Sequence, residues 1–354
     1  MEKMNNYYQS MTEIYNRLQD EESKTLFEAR IAYLVNRDQD DYIQTIGNVY
    51  SDWHPLPELQ KKISMFKSLD GIIVFGCGVG GRATKRILSF WGYEVSYFCD
   101  NYKYGEIVDG KKVLSVGEVV KNLGGGRYLV VLASYEHGEA MYNDLIRNGF
   151  PSSNILWPKN KLLIGIRGNQ YFDVFEPKPK EIFVDAGAYD GKTVLYFYQW
   201  TKHKYERIYA FEPIKSMCEE IRRKTVENNI SGIEILNNAA WNRREKISFI
   251  DDSTSSHMDD KGDIAVQGID IDSVVNDEGV TFIKMDVEGS ELKALEGARN
   301  TILRNRPRLA ICIYHKPLDV IEIASYILHL VPDYKFYIRH YNLHMYETVL
   351  YAPI

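Results

Sequence analysis

Residues 181–191, EIFVDAGAYDG, constrain the fold of this chain more than any other stretch. Ile182, Phe183 and Val184 form a short apolar run, the pattern of a buried strand. Asp185 ends that run, Gly187 and Gly191 open a tight loop, and the following TVLYFYQWTKH can be helical. A strand, a glycine turn and a helix N-terminus make a site for a nucleotide-like ligand. The acid at the start of the loop sets it apart from a dinucleotide fingerprint, because a carboxylate where a pyrophosphate would lie repels it. It suits a ligand carrying an ammonium and a sulfonium, and S-adenosylmethionine carries both.

A chain of 354 residues is long for one domain and fits two. The net charge of −6 gives no electrostatic case for nucleic acid or an acidic membrane surface. No apolar run is long enough to span a bilayer, and the N-terminus is polar without a signal-peptide core. Cys77, Cys99, Cys218 and Cys312 are scattered without metal-ligand spacing, which reads as buried free thiols in a reducing cytoplasm.

Three segments follow in order: 1–66 helical, 67–160 a small Rossmann-like domain, and 161–354 a larger α/β domain. Apolar residues at helical spacing mark the first, for instance Tyr8, Met11, Ile14, Tyr15 and Leu18, with a break at HPLP. Packing on the next domain or at a homodimer interface is the use expected for these helices. In the second, GIIVFG runs into Gly76, Gly78 and Gly81, and Asp100 ends the next strand about 20 residues on, as in the dinucleotide fingerprint. These four residues are a candidate second nucleotide site for a nucleotide, a nucleotide sugar or NAD(P). The competing reading is that the glycines only let helix and strand pack closely. A connector around residues 159–180, with a helical piece near Tyr171, leads to the third segment.

There, Glu212 ends the second strand about 20 residues past the first loop, where a carboxylate can accept both ribose hydroxyls. The loop at Asn237, Asn238, Ala239, Ala240 and Trp241 is placed on the same sheet edge and suits adenine. Two extra strands enclose residues 251–261, a serine-rich stretch read as a flap. TFIKMDVEGSE brings Asp286, Glu288 and Glu291 to a strand end, and His315 ends the next strand. Helix capping alone explains Glu291 well and Asp286 less well. Arg339 and His340 end the first strand of a closing antiparallel hairpin, near the cleft or a subunit contact. Metal binding by His340 and His344 is not expected, since their spacing falls outside a helix.

FVDAGAYDG (183–191), AFEP (210–213), NNAAW (237–241), IKMDVEGSE (283–291) and AICIYHKPLD (310–319), in this order, resemble the FkbM family of class I methyltransferases. The resemblance covers about half of the chain. The chain reads as two Rossmann-like α/β units preceded by N-terminal helices, and the resemblance implies that the C-terminal unit has the class I methyltransferase fold, a mostly parallel sheet closed by an antiparallel hairpin. It also implies an enzyme that moves a methyl group from S-adenosylmethionine to a hydroxyl of a sugar, glycan, lipid or secondary metabolite. Asp185, Gly187, Ala188 and Gly191 then hold the methionine end, Glu212 and Pro213 the ribose, and Asn238 and Ala239 the adenine. Tyr171 closes over the cofactor and Asp286 completes its site. His315, Asp286 and Glu288 are the candidate catalytic residues. His315 is the preferred base because its unperturbed pKa lies nearest neutrality. No metal is required. The alternatives are an NAD(P)-linked or nucleotide-sugar enzyme working through the first glycine loop, and a non-catalytic sensor of the same ligands.

Overall fold

The computed structural model describes residues 2–50, 57–123, 126–134, 137–158, 168–250, 257–258, 264–342 and 345–354. Most of the stretch read as a flap, and His344, lie outside them. The chain divides into two compact units. One contains Met1–Arg37, Gly168–His340 and Tyr346–Ile354, and the other Asp38–Arg167 and Tyr341–Met345. The helical segment expected as one piece is therefore shared out: α1 (Glu2–Arg17) and α2 (Glu21–Asn36) join the C-terminal unit, and α3 (Gln39–Val49) and α4 (Pro57–Ser64) the other. Helical periodicity shows that a face will be buried but not against what.

The N-terminal unit adds β1 (Gly71–Phe75), α5 (Val79–Phe90), β2 (Val95–Cys99), β3 (Ile107–Val108), β4 (Lys111–Leu114), α6 (Val116–Leu123), β5 (Tyr128–Leu132), α7 (Gly138–Arg147) and β6 (Ile155–Leu156). Its six-stranded sheet has the order β3-β4-β2-β1-β5-β6. All neighbours are parallel except β3 and β4. Ile72, Ile73, Val74 and Phe75 are all buried, which is why β1 reads as an unbroken apolar run.

The C-terminal unit continues with β7 (Glu181–Ala186), α8 (Lys192–Trp200), β8 (Tyr205–Phe211), α9 (Lys215–Glu227), β9 (Ile233–Leu236), β10 (Ala239–Trp241), β11 (Glu245–Ile250), β12 (His257–Met258), β13 (Ile264–Asp270) and α10 (Ile271–Val275). It ends with β14 (Phe282–Met285), α11 (Glu291–Gly297), α12 (Arg299–Asn305), β15 (Arg308–Cys312), α13 (Asp319–Leu330), β16 (Tyr337–His340) and β17 (Thr348–Ala352). The seven-stranded sheet has the order β16-β17-β15-β14-β7-β8-β9. β17 runs antiparallel to both β15 and β16, and the other pairs are parallel. The connections go one way from β7 to β9 and the other way from β14 to β15. The point of reversal lies between β7 and β14, where an open α/β sheet makes its ligand crevice.

The core beneath that crevice is aromatic. Phe183 stacks on Phe197 with ring centroids 4.4 Å apart, and Phe172, Trp200 and Phe282 surround them. At the far end of β7 the buried Glu181 pairs with Arg308, whose guanidinium lies against Phe175, Trp200 and Phe282. Arg339 and His340, expected near the cleft or a subunit contact, fasten the N-terminal helices and the hairpin. Arg339 pairs with Asp20 at the start of α2, which packs on β16, and His340 Nδ1 lies 2.7 Å from Thr348 Oγ1. The piece near Tyr171 is a turn closed by the Phe172 N–H on the Asn169 carbonyl, not a helix.

One further expectation changes and another holds. Ala239 and Trp241 lie in β10, which pairs with β13 in a separate four-stranded sheet rather than at the edge of the central one. All four cysteines are free and buried. No helix among the described residues is long and apolar enough to cross a membrane.

Candidate active site

The loops after β7 and β14 meet at the sheet's reversal point. Gly187, at φ 80°, is pressed so close that a Cβ there would lie 1.8 Å from the Asp286 carbonyl oxygen. The amides of Gly187 and Ala188 both donate to the Phe211 carbonyl at 3.0 Å, which fixes this loop beside the end of β8. Gly191, at φ 78°, caps α8, and a Cβ there would press on Ile221.

Under the loop sits Lys284, which is buried. Its ammonium donates to the Gly187 carbonyl at 2.6 Å and lies 3.0 Å from Asp185 Oδ1 and 5.2 Å from the Tyr171 ring centre. Burial alone would lower its pKa, but Asp185 and Asp286 outweigh that and carry it above the usual lysine range. Burial pushes Asp185 up, against the pull of Lys284. Asp185 Oδ2 has no hydrogen-bond partner among the described residues.

Glu212 is buried at the end of β8. Its carboxylate accepts the amides of Tyr189 and Ile214, each at 2.8 Å and each on a different oxygen. Each oxygen keeps a free lone pair. Burial pushes its pKa up to about 7 in spite of those two amides. Asn237 donates to the carbonyls of Glu212 and Pro213 and so ties the next loop to this one. Asn238 donates to the Gln267 carbonyl, anchoring the predicted adenine loop to β13.

The sequence candidates beyond β14 converge. Asp286 accepts from Tyr171 Oη at 2.8 Å on one oxygen and from Tyr314 Oη at 3.2 Å on the other. Tyr171 is buried at φ 74°, and its amide donates to Tyr351 Oη at 2.8 Å. An aromatic residue in the left-handed region costs about 1–3 kcal/mol, and such strain clusters at functional sites. Glu288 also has a positive φ, 52°, in the turn before α11. His315 Nε2 lies 3.4 Å from Asp286 Oδ1 and 3.5 Å from Glu288 Oε2, and its Nδ1 faces Glu291 Oε1 at 2.9 Å.

Burial would lower the pKa of His315, but Glu291, Asp286 and Glu288 push it up to about 9. The ring is surrounded by three carboxylates, which favour its charged form over the neutral form that a base needs. Asp286 is held below the usual range despite burial, by Lys284, His315 and Tyr171. Burial raises Glu288, the exposed member of the group.

Residues 185–338 match the family model of the methyltransferase FkbM domain. This part of the chain is an FkbM methyltransferase domain. A solved FkbM methyltransferase from Methylobacillus flagellatus KT is 20% identical, aligned over 94% of this chain and 99% of its own, with a TM-score of 0.51. That likeness shows a shared fold. A solved rRNA methylase from Streptococcus thermophilus is 15% identical over 50% of this chain and 87% of its own, with a TM-score of 0.35. No curated protein matches the chain.

Sequence reasoning missed two residues of the methyltransferase domain's site. Lys284 had a signal, a lysine inside the apolar run of a buried parallel strand. Glu347 had none. It accepts from Gln170 and lies at φ 64°, and burial together with Asp286 raises it to about 7. Outside this domain, Asp100 accepts from the Cys77 amide and thiol at 3.2 and 3.3 Å and from the amides of Tyr102 and Lys103. Gly76 has φ 97°, and Gly81 packs so close that a Cβ would meet the Gly76 carbonyl. Gly78 has open space around it.

Proposed function

We propose that this domain transfers a methyl group from S-adenosylmethionine to a hydroxyl oxygen of a sugar, glycan, lipid or secondary-metabolite acceptor. The observation that carries the reading is the reversal point itself. Glu212 flanks it on one side, and on the other Asp286, Glu288 and His315 present donor atoms that all lie within 4.8 Å of one another. The residues fit the cofactor. Asp185 offers a buried acceptor oxygen without a hydrogen-bond partner among the described residues, suited to an ammonium, and Glu212 keeps lone pairs for two ribose hydroxyls. When bound, S-adenosylmethionine supplies an activated methyl on a sulfonium.

The chain's own residues do the rest. Lys284 fixes the loop carbonyls, so the cradle is set before a ligand arrives. Tyr171 and Tyr314 hold Asp286 from both sides, and Asp286 and His315 orient the acceptor hydroxyl. Glu288 would take the proton of the acceptor hydroxyl, whose oxygen would receive the methyl that the bound cofactor supplies. Asp286 is less suited, since Lys284, His315 and Tyr171 hold its carboxyl below the usual range. Aligning three atoms and excluding water supplies much of the rate, and the base adds to it.

The test is calorimetric titration with S-adenosylhomocysteine on wild type and Glu212→Ala, followed by transfer assays on glycan and lipid hydroxyls. Binding to the wild type that is lost in the variant is expected. No binding to the wild type would remove the reading.

A further inference from the structure

We infer that Asp286, Glu288 and His315 form a binding site for one divalent first-row cation of the Mn²⁺ type, beside the acceptor position. This goes beyond the metal-free reading of the sequence, and it depends on the proposed function only for the use made of the ion.

Three observations carry it. First, the donor atoms have the right spacing. Two metal–ligand bonds of about 2.1–2.2 Å at roughly 90–110° place their donors about 3.0–3.5 Å apart. The imidazole nitrogen lies 3.4 and 3.5 Å from the two carboxylates. Second, His315 is nine-tenths buried and its Nε2, 3.4 and 3.5 Å from two carboxylate oxygens, has no hydrogen-bond partner among the described residues.

Third, the surrounding residues are those a metal ligand needs. A metal-bound histidine usually presents its other nitrogen to a carboxylate, and metal-bound carboxylates are themselves hydrogen-bonded. Here Glu291, buried, faces Nδ1 at 2.9 Å, while Tyr171 and Tyr314 donate to Asp286. Two carboxylates and one imidazole favour a cation of intermediate softness over Mg²⁺ or Ca²⁺, which take oxygen ligands. Glu288 ligates through Oε2 and keeps Oε1 for the hydroxyl proton. A cation so placed would draw in the acceptor hydroxyl and lower its pKa.

The test uses full-length protein stripped with chelator and titrated with MnCl₂, bound ion being read from loss of the free Mn²⁺ electron paramagnetic resonance signal. S-adenosylhomocysteine affinity is measured in parallel. The wild type is expected to take up a single equivalent. Glu288→Gln and Glu291→Gln should weaken Mn²⁺ by about tenfold or more while leaving S-adenosylhomocysteine affinity in place. Thermal melting gives a second reading: Mn²⁺ should raise the wild-type midpoint and not that of Glu288→Gln.

Wild-type protein that binds S-adenosylhomocysteine but no Mn²⁺ would overturn the metal site and leave the methyltransferase reading intact. Equal Mn²⁺ binding by wild type and variants would also overturn it, since the ion would then sit elsewhere. Mn²⁺ uptake without S-adenosylhomocysteine binding would support the site and count against the cofactor reading instead.

Discussion

The two α/β units carry the same device, a strand, a glycine loop, a helix and an acid at the end of the second strand, yet they use the acid differently. Asp100 is met by four donors from its own loops, and their hydrogen bonds hold its carboxyl below the usual range although burial opposes them. Glu212 is met by two amides in a drier place and is pushed up to about 7. One charge is satisfied by the chain, while the other, in the proposed function, is left for a ligand. The third strand end differs as well. β5 of the N-terminal unit runs into Ala133 and Ser134, whereas β14 runs into Asp286 and Glu288. A shared loop fingerprint therefore marks a fold, and the unsatisfied groups mark the chemistry.

The largest effect that should sharpen this contrast is at Glu288. Glu288→Gln keeps the shape of the turn and removes the proposed base. Methyl transfer should fall by about 10²–10⁴-fold in kcat, with S-adenosylhomocysteine affinity unchanged. Ser134→Ala, at the corresponding strand end of the other unit, should leave the rate alone. Equal losses in single-turnover assays would break the comparison.

The glycines come next. Gly187→Ala sets a methyl against the Asp286 carbonyl at a positive φ and should cost roughly 3 kcal/mol or more in denaturant unfolding. Gly78→Ala faces open space at φ −71° and should stay within about 0.5 kcal/mol. A costly Gly78→Ala would show that the first loop is also under constraint.

These contrasts mark how far the sequence can be read. The two larger sheets were legible because buried parallel strands such as Ile72–Phe75 and Ile182–Val184 are unbroken apolar runs. The site loops were legible because Gly187, Glu212 and Asp286 follow such runs directly. What three-dimensional neighbours decide was not legible. The state of His315 depends on Glu291 from α11 and on two acids after β14, which the ordinary titration of an isolated histidine does not include. Whether Asp100 or Glu212 is satisfied depends on amides that a spacing rule cannot see. Nor could helical periodicity assign α2 to β16, since the pairing of Arg339 with Asp20 joins the two ends of the chain.

Smaller effects should follow from cutting the two acids back. Glu212→Ala should weaken S-adenosylhomocysteine by roughly 10–150-fold, the value of hydrogen bonds to a charged group. Asp100→Ala orphans the amides of Cys77, Tyr102 and Lys103 and should cost about 1–3 kcal/mol in unfolding with no change in cofactor affinity. A drop in cofactor affinity in Asp100→Ala would mean that the two acids are not separate in function.

The smallest effect is the pH dependence of Glu212, and it has two signs. Its folded pKa, about 7, lies above an unfolded value of about 4.3. The contribution to stability is therefore fully present below about pH 4.3 and is lost as pH rises through about 7. Binding runs the other way, because the ionised carboxylate is the form that accepts two hydroxyls. From pH 6 to pH 8 the wild-type affinity for S-adenosylhomocysteine should rise about tenfold, as the ionised fraction does. Glu212→Gln, neutral throughout, should bind weakly with no such slope. Free of ligand, it should be the more stable protein at pH 8, with the gap closing toward pH 5. If wild type and variant share one slope, the charge is not held in reserve for the ligand, and Glu212 is satisfied by its own loops as Asp100 is.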